Sequence, residues 1–137
     1  NNVNENGDRF VAYCFSEVAG YSKFGKYTGN GSTDGSFVYC GFRPAVVLTK
    51  CSSNAGDDWR IWDNQRPGYN LTNLSLAPNT SAAEDTSTNN YAIDILSNGF
   101  KLRSSTTGTN GSGRTYIFMA LAENPFGGSG VSPATAR

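Results

Sequence analysis

The chain contains no histidine, and this absence removes several kinds of catalytic chemistry. Histidine is the usual general base near neutral pH, the activator of serine and cysteine nucleophiles, and a frequent zinc ligand. Glycoside hydrolysis needs only two carboxylates, so a depolymerase stays open as an alternative among the eleven acidic residues. Our prediction is a protein that is not an enzyme, with no catalytic residues and no cofactor.

An excess of one charge, long apolar runs and abundant cysteine are also missing. Eleven Lys and Arg balance eleven Asp and Glu. No apolar run approaches the roughly 20 residues of a membrane-spanning helix. We therefore expect neither nucleic-acid binding nor membrane insertion. Cys14, Cys40 and Cys51 lack the C-x-x-C spacing of a zinc or redox site, which predicts three small buried hydrophobic residues and no metal.

What the chain does have is short apolar bursts between stretches rich in Gly, Asn, Ser and Thr, a pattern typical of strands joined by polar turns. It predicts strands at residues 9–15, 25–28, 37–42, 45–50, 59–64, 73–76, 91–97, 100–103 and 115–122. Residues 81–84 allow one helical turn at most. Strands this short and numerous predict an all-β fold, an antiparallel two-sheet sandwich, with a closed barrel as the alternative.

Turn residues divide these strands. Asn98-Gly99 predicts a type I′ hairpin turn, and a second hairpin is expected from residues 45 to 64, turning through 53–56. Pro44 lacks an N–H group and marks a corner between strands. We predict one sandwich domain over residues 1–126, followed by a tail rich in Gly, Ser and Pro over 127–137.

One motif occurs twice, at a constant offset of 106 residues. Residues 4–17 and 110–123 share Asn, then Gly three residues later, then an aromatic residue opening an apolar run that ends in Glu. This repeat predicts that residues 9–15 and 115–122 are both ladder strands of one sandwich, with residues 9–15 covering its edge. The alternative is that residues 9–15 close an upstream copy of the same sandwich and have lost their partners here.

Residues 59–70 contain the densest group of aromatic and planar polar side chains. On a strand Trp59 and Trp62 face opposite ways, so at most one of them lies on the core side. Flat aromatic rings beside planar polar groups suit sugar recognition, which suggests a ligand site made of Trp62, Asp63, Asn64, Arg66 and Tyr69. The alternative is that both Trp rings are packed and that the Asp63–Arg66 pair fixes a turn.

Several segments together resemble the repeated domain of bacteriophage tail and tail-fibre proteins: residues 11–17, 25–31, 41–44, 59–66, 98–100 and 110–123. The resemblance implies a concanavalin A-like jelly roll, a virion (tail), extracellular location, and a homotrimer contacting other virion proteins. The implied role is scaffolding or host recognition, with a host surface glycan as candidate ligand. It supplies no catalytic residues. A free carbohydrate-binding module and a capsid decoration or fibre protein remain alternatives. The start at Asn1 and the glycine-rich end suggest the final domain of a longer polypeptide.

Overall fold

The computed structural model describes residues 6–67, 69–87 and 90–126. Within them the strands are β1 (Ser22–Thr28), β2 (Phe37–Tyr39), β3 (Pro44–Cys51), β4 (Arg60–Asp63), β5 (Ile93–Leu96), β6 (Gly99–Leu102) and β7 (Thr115–Ala122), with one short helix, α1 (Thr107–Asn110). All strand pairs are antiparallel. The strand order is β1-β7-β3-β4 in a four-stranded sheet and β2-β6-β5 in a three-stranded sheet.

The two sheets pack their inner faces against each other. Alternation along β7 buries Tyr116, Phe118 and Ala120 and leaves the intervening side chains on the outer face. From the opposite sheet, the Phe100 ring makes an edge contact with Phe118 at 5.5 Å between centroids. Burying each such side chain contributes roughly 2–3 kcal/mol. The predicted all-β, antiparallel two-sheet sandwich is therefore confirmed, and the described strands form two open sheets rather than a closed barrel.

The β5–β6 hairpin forms where the sequence predicts it, but its turn differs. Leu96 pairs with Gly99, so the turn residues are Ser97 and Asn98, and the predicted Asn-Gly placement is wrong. Gly99 does not have a positive φ. A Cβ added there would lie 2.1 Å from the carbonyl oxygen of Val38 on β2. Glycine is needed at this position because the backbones of β2 and β6 approach closely there, and not because the backbone has a positive φ.

The β3–β4 hairpin and the corner at Pro44 agree with the predictions. β3 pairs with β4 from Val46 opposite Asp63 to Thr49 opposite Arg60. The connecting loop contains Gly56 with φ at +92°. Pro44 is the first residue of β3, a position that tolerates the missing N–H group.

One strand prediction fails, and the limit of one helical turn at residues 81–84 holds. Residues 73–76 form no strand, because Ser75 and Leu76 make isolated bridges to two different neighbours, Asp85 and Ile61. Without a shared neighbour no ladder can propagate. Residues 81–84 are not helical, and the one helical turn of the described chain is α1 instead. Among the described residues no helix has the length and apolar character needed to cross a membrane.

The N-terminal segment, defined here as residues 6–17, contradicts the prediction of a strand at 9–15. It has no strand pairing, and all of its residues are exposed. Cys14 is accordingly exposed, against the prediction of three buried thiols, whereas Cys40 and Cys51 are buried. The physical reason is that β7, the matching sequence, already occupies the central place between β1 and β3. Asn4 and the predicted tail at 127–137 lie outside the described residues.

Candidate functional site

Trp62 belongs to the core. It lies on β4 with its side chain completely buried, and its indole Nε1–H donates a hydrogen bond to the carbonyl of Tyr91 at 2.6 Å. A buried ring offers no face to a ligand, so Trp62 is corrected from a ligand contact to a packing residue. Trp59, one residue before β4, lies on the outer face of the same sheet, as strand alternation predicts.

Asp63 and Arg66 fix the turn that follows β4. Asp63 Oδ1 accepts hydrogen bonds from the backbone N–H groups of Gln65 at 2.9 Å and Arg66 at 3.0 Å, and Arg66 Nε donates to Asp63 Oδ2 at 2.6 Å. The same guanidinium contacts Glu84. Partial burial opposes ionisation, but these hydrogen bonds outweigh it and hold the pKa of Asp63 below its ordinary value. The pair therefore has the turn-fixing role that was the alternative to ligand binding.

Asn64 also has a structural contact. Its Nδ2 donates to Glu123 Oε1 at 2.6 Å, and the same carboxylate oxygen pairs with Arg43 Nη1 at 2.7 Å. Glu123 is the last residue of the second motif copy, so its carboxylate joins the end of β7 to the turn after β4. The acidic residue that ends the first copy, Glu17, pairs instead with Lys23 at 2.6 Å.

Tyr69 is the one member of the five predicted site residues that is fully accessible, with 86% of its surface exposed. It precedes Asn70, whose Nδ2 donates to the carbonyl of Ile95 while Oδ1 accepts from the N–H of Ile95, both at 2.9 Å. Through these bonds the side chain pairs with the edge strand β5 as a backbone would. The loop carrying Tyr69 is thereby fixed to the three-stranded sheet.

A polar cleft of about 670 Å³ lies beside this loop, and it was not predicted from the sequence. Its lining residues are Thr33, Asp34, Asn70, Leu71, Asp94 and Arg103. Strand alternation on β5 and β6 predicts that their polar side chains lie on the outer face, which is the one indication of the cleft in the sequence. The lining residues are too far apart in the chain for a sequence motif to connect them.

Charges in the polar cleft are paired. Arg103 lies between the two acids, with Nε 3.4 Å from Asp94 Oδ2 and Nη1 3.6 Å from Asp34 Oδ1. Lys101 Nζ is 2.6 Å from Asp34 Oδ1. Its hydrogen bond and charge hold the pKa of Asp34 below the ordinary value. A glycosidase acid needs a raised pKa, so this carboxylate is tuned in the opposite direction.

An apolar groove of about 220 Å³ lies on the outer face of the four-stranded sheet. It is lined by Phe15, Phe24, Leu48, Trp59, Ile117, Phe118 and Met119. Phe15 comes from the N-terminal segment and packs at 5.9 Å from the ring of Phe24. The groove is therefore where the N-terminal segment meets the sandwich.

The polar cleft presents carboxylate, guanidinium and amide groups that can hydrogen-bond a polar ligand. Among residues 6–67, 69–87 and 90–126, no three His, Cys, Asp or Glu side chains are grouped so that they could hold a metal ion. The fold and the site define an antiparallel β-sandwich whose surface carries the polar cleft and the apolar groove.

The chain belongs to a family described as a domain of unknown function, DUF7483, whose model matches residues 1–125. The match includes the N-terminal segment as well as the sandwich. No curated protein and no solved structure matches the chain.

Proposed function

We propose that this domain is a structural module of a phage virion, a tail-fibre domain with a scaffolding or host-recognition role. The observation that carries the proposal is a row of exposed apolar side chains at the start of the chain. Contiguous exposed apolar surface on a soluble protein marks a site of interaction. The row consists of Phe10, Val11, Tyr13, Phe15 and Val18. Its presence suits a part of an assembly better than a free-standing domain.

The resemblance to phage tail and tail-fibre domains supplies the finer parts of the proposal. These are a concanavalin A-like jelly roll, homotrimeric assembly, contacts with other virion proteins, an extracellular position on the tail, and no enzymatic activity. The alternative, a capsid decoration or fibre protein, would have the same structural role at another place on the particle.

Electron microscopy of virions tests this role. An antibody raised against residues 18–126 is incubated with particles of a phage whose genome encodes the chain. We expect label at the distal tail, whereas label on the capsid would favour the decoration alternative. Particles that carry no label at any position, although the antibody binds the purified domain, would contradict a virion role.

A second candidate function, carbohydrate binding, is favoured by the polar cleft. Its hydrogen-bonding groups are held by ion pairs and by the Asn70–Ile95 contact, and Tyr69, the residue before Asn70, presents an accessible ring. Sugars are bound by this combination of planar polar groups and an aromatic face. The candidate differs from the sequence-based site because Tyr69 is kept while the cleft residues replace Trp62, Asp63, Asn64 and Arg66.

Glycan-array binding tests this candidate with a matched pair of variants. Tyr69→Ala removes the accessible ring that precedes Asn70 of the cleft in the chain, whereas Tyr39→Ala removes an exposed ring from β2. We expect about a tenfold loss of apparent affinity in the first variant only, equivalent to about 1.4 kcal/mol. Equal binding by both variants, or no signal from the parent protein on any glycan, would exclude the cleft as a sugar site.

A further inference from the structure

We propose that the N-terminal segment is the closing strand of a preceding copy of this fold in the same polypeptide, where it takes the central position that β7 takes here. The first evidence is the motif repeat at an offset of 106 residues. In this chain β7 pairs on one side with β1 and on the other with β3. The position is therefore filled, and the N-terminal segment cannot enter its own sandwich.

The two motif copies have similar residues at the positions that face the core. The inward-facing residues of β7 are Tyr116, Phe118 and Ala120, and all three are buried. Their counterparts in the segment are Phe10, Ala12 and Cys14. Both sets start with an aromatic ring and end with a small residue, so the segment presents a compatible inner face in the same register.

The turn before each strand has a glycine with a positive φ at the same position of the motif. Gly7 has φ at +91° and Gly113 has φ at +72°. Neither glycine would meet another atom if it carried a Cβ, so glycine is required by the left-handed backbone alone. In the second copy this turn is held by the Gly113 N–H donating to the carbonyl of Gly29 at 2.9 Å. The first copy therefore has the same left-handed glycine that precedes the paired strand β7, although the residues that follow Gly7 are unpaired.

The spacing of the repeat matches one complete sandwich. Glu17 ends the first motif copy and Glu123 ends the second, so residues 18–123 contain β1 to β7 once and equal the repeat offset in length. A polypeptide built with this period has each sandwich closed by the strand just before the next one. Occupancy of a preceding copy would bury Phe10, the first residue of the exposed apolar row, whereas Val11, Tyr13 and Phe15 would lie on the outer face as Ile117, Met119 and Leu121 do here.

A tandem fusion tests the inference, which rests on the assembly role proposed above but not on a virion location. Residues 18–109 are placed directly before residues 4–137, so that Asn4 follows Thr109 as Asn110 does in the chain. Amide hydrogen exchange over residues 10–16 is compared with that in the chain 1–137. We expect exchange at least about a hundredfold slower in the fusion, because the segment gains ladder hydrogen bonds on both sides. Exchange as fast as in the single chain would overturn the inference.

Two variants of the fusion test which residues of the N-terminal segment face the core of the preceding copy. Cys14→Asp places a charge at the counterpart of fully buried Ala120, whereas Tyr13→Asp places it at the counterpart of half-buried Met119. We expect only Cys14→Asp to abolish the protection. Equal effects of the two variants would contradict the proposed register. Protection in the chain 1–137 that grows with concentration would also contradict the inference, since intact copies would then cover the segment.

A single-copy variant gives an answer that does not depend on the fusion. Residues 110–123 are replaced by the sequence of residues 4–17, and thermal unfolding is followed by circular dichroism. We expect a cooperative transition, and its loss would overturn the inference. Virion labelling is unaffected by any of these outcomes, so failure of the strand exchange and failure of the proposed function remain distinguishable.

Discussion

Replacing Asn110 by Ala should be one of the most damaging substitutions of a polar residue in this domain. Asn110 is fully buried at the end of α1. Its Nδ2 donates to the carbonyls of Ser104 at 2.9 Å and Ser32 at 2.8 Å, and to Asn30 Oδ1 at 3.0 Å. Its Oδ1 accepts from the backbone N–H of Asn30 at 3.1 Å. One side chain thus joins the loop after β1 to the segment between β6 and β7.

The magnitude follows from the groups left without partners. The Ser104 contact is buried, and an unpaired buried carbonyl costs about 1–3 kcal/mol. The contacts with Asn30 and Ser32 are part-buried, so water can replace them at a cost of roughly 0.5 kcal/mol each. The sum is about 3 kcal/mol, a large share of the roughly 5–15 kcal/mol by which domains are stable. At this chain length it corresponds to a fall in Tm of roughly 10 °C.

Urea unfolding followed by circular dichroism measures this loss as a lower midpoint with an unchanged m-value. The matched control is Asn54→Ala, because exposed Asn54 bonds only to the carbonyl of Ala55 in its own turn. We expect the control to change stability by less than about 0.5 kcal/mol. If the two variants unfold within about 1 kcal/mol of each other, the buried amide does not hold these loops together.

Two further predictions concern thiol access and pH. A thiol reagent should modify Cys14 rapidly in the native protein and the other two cysteines only after unfolding, because Cys40 and Cys51 are buried and burial raises the pKa of Cys40 to about 12; rapid reaction of all three thiols would contradict the burial. Asp63→Asn should lower stability by about 1 kcal/mol at pH 7, after allowing for partial exposure. The pKa of Asp63 is lower in the folded state than in the unfolded state, so the stability difference between the parent protein and Asp63→Asn should shrink as the pH falls through the folded-state pKa. A difference in urea midpoint that is equal at pH 7 and pH 2.5 would refute the stabilising role of the Asp63 carboxylate.

Sequence patterns predict the layered β-fold well because strand alternation is a local property. β7 was predicted with its observed bounds, and β1, β3 and β6 each overlap the predicted range. Boundaries were less accurate where pairing rather than propensity decides them. The predicted strand at residues 37–42 is shortened to Phe37–Tyr39, since only those residues face β6.

The candidate site was harder to predict because its parts meet only through the topology. Asp34 lies in a loop after β1, Asp94 lies on β5, and Arg103 follows β6. The sequence does show that the two tryptophans face opposite sides, but alternation alone cannot say which side is the core. The outcome depends on Trp62 finding the Tyr91 carbonyl for its N–H group, a long-range contact with no local signal.

The two motif copies separate strand propensity from strand formation. Residues 10–15 have the aromatic and β-branched composition that suits a pleated surface, and so do residues 116–121. Only the second run forms a strand, because it lies between β1 and β3 and hydrogen-bonds to both. Propensity for β-structure mainly measures packing and pairing against neighbours, so a good strand sequence without a sheet edge stays unpaired. The exposed N-terminal segment has this composition but no strands to pair with. Because it shares its motif with β7, the strands we infer for it are the equivalents of β1 and β3 in a preceding copy of the fold.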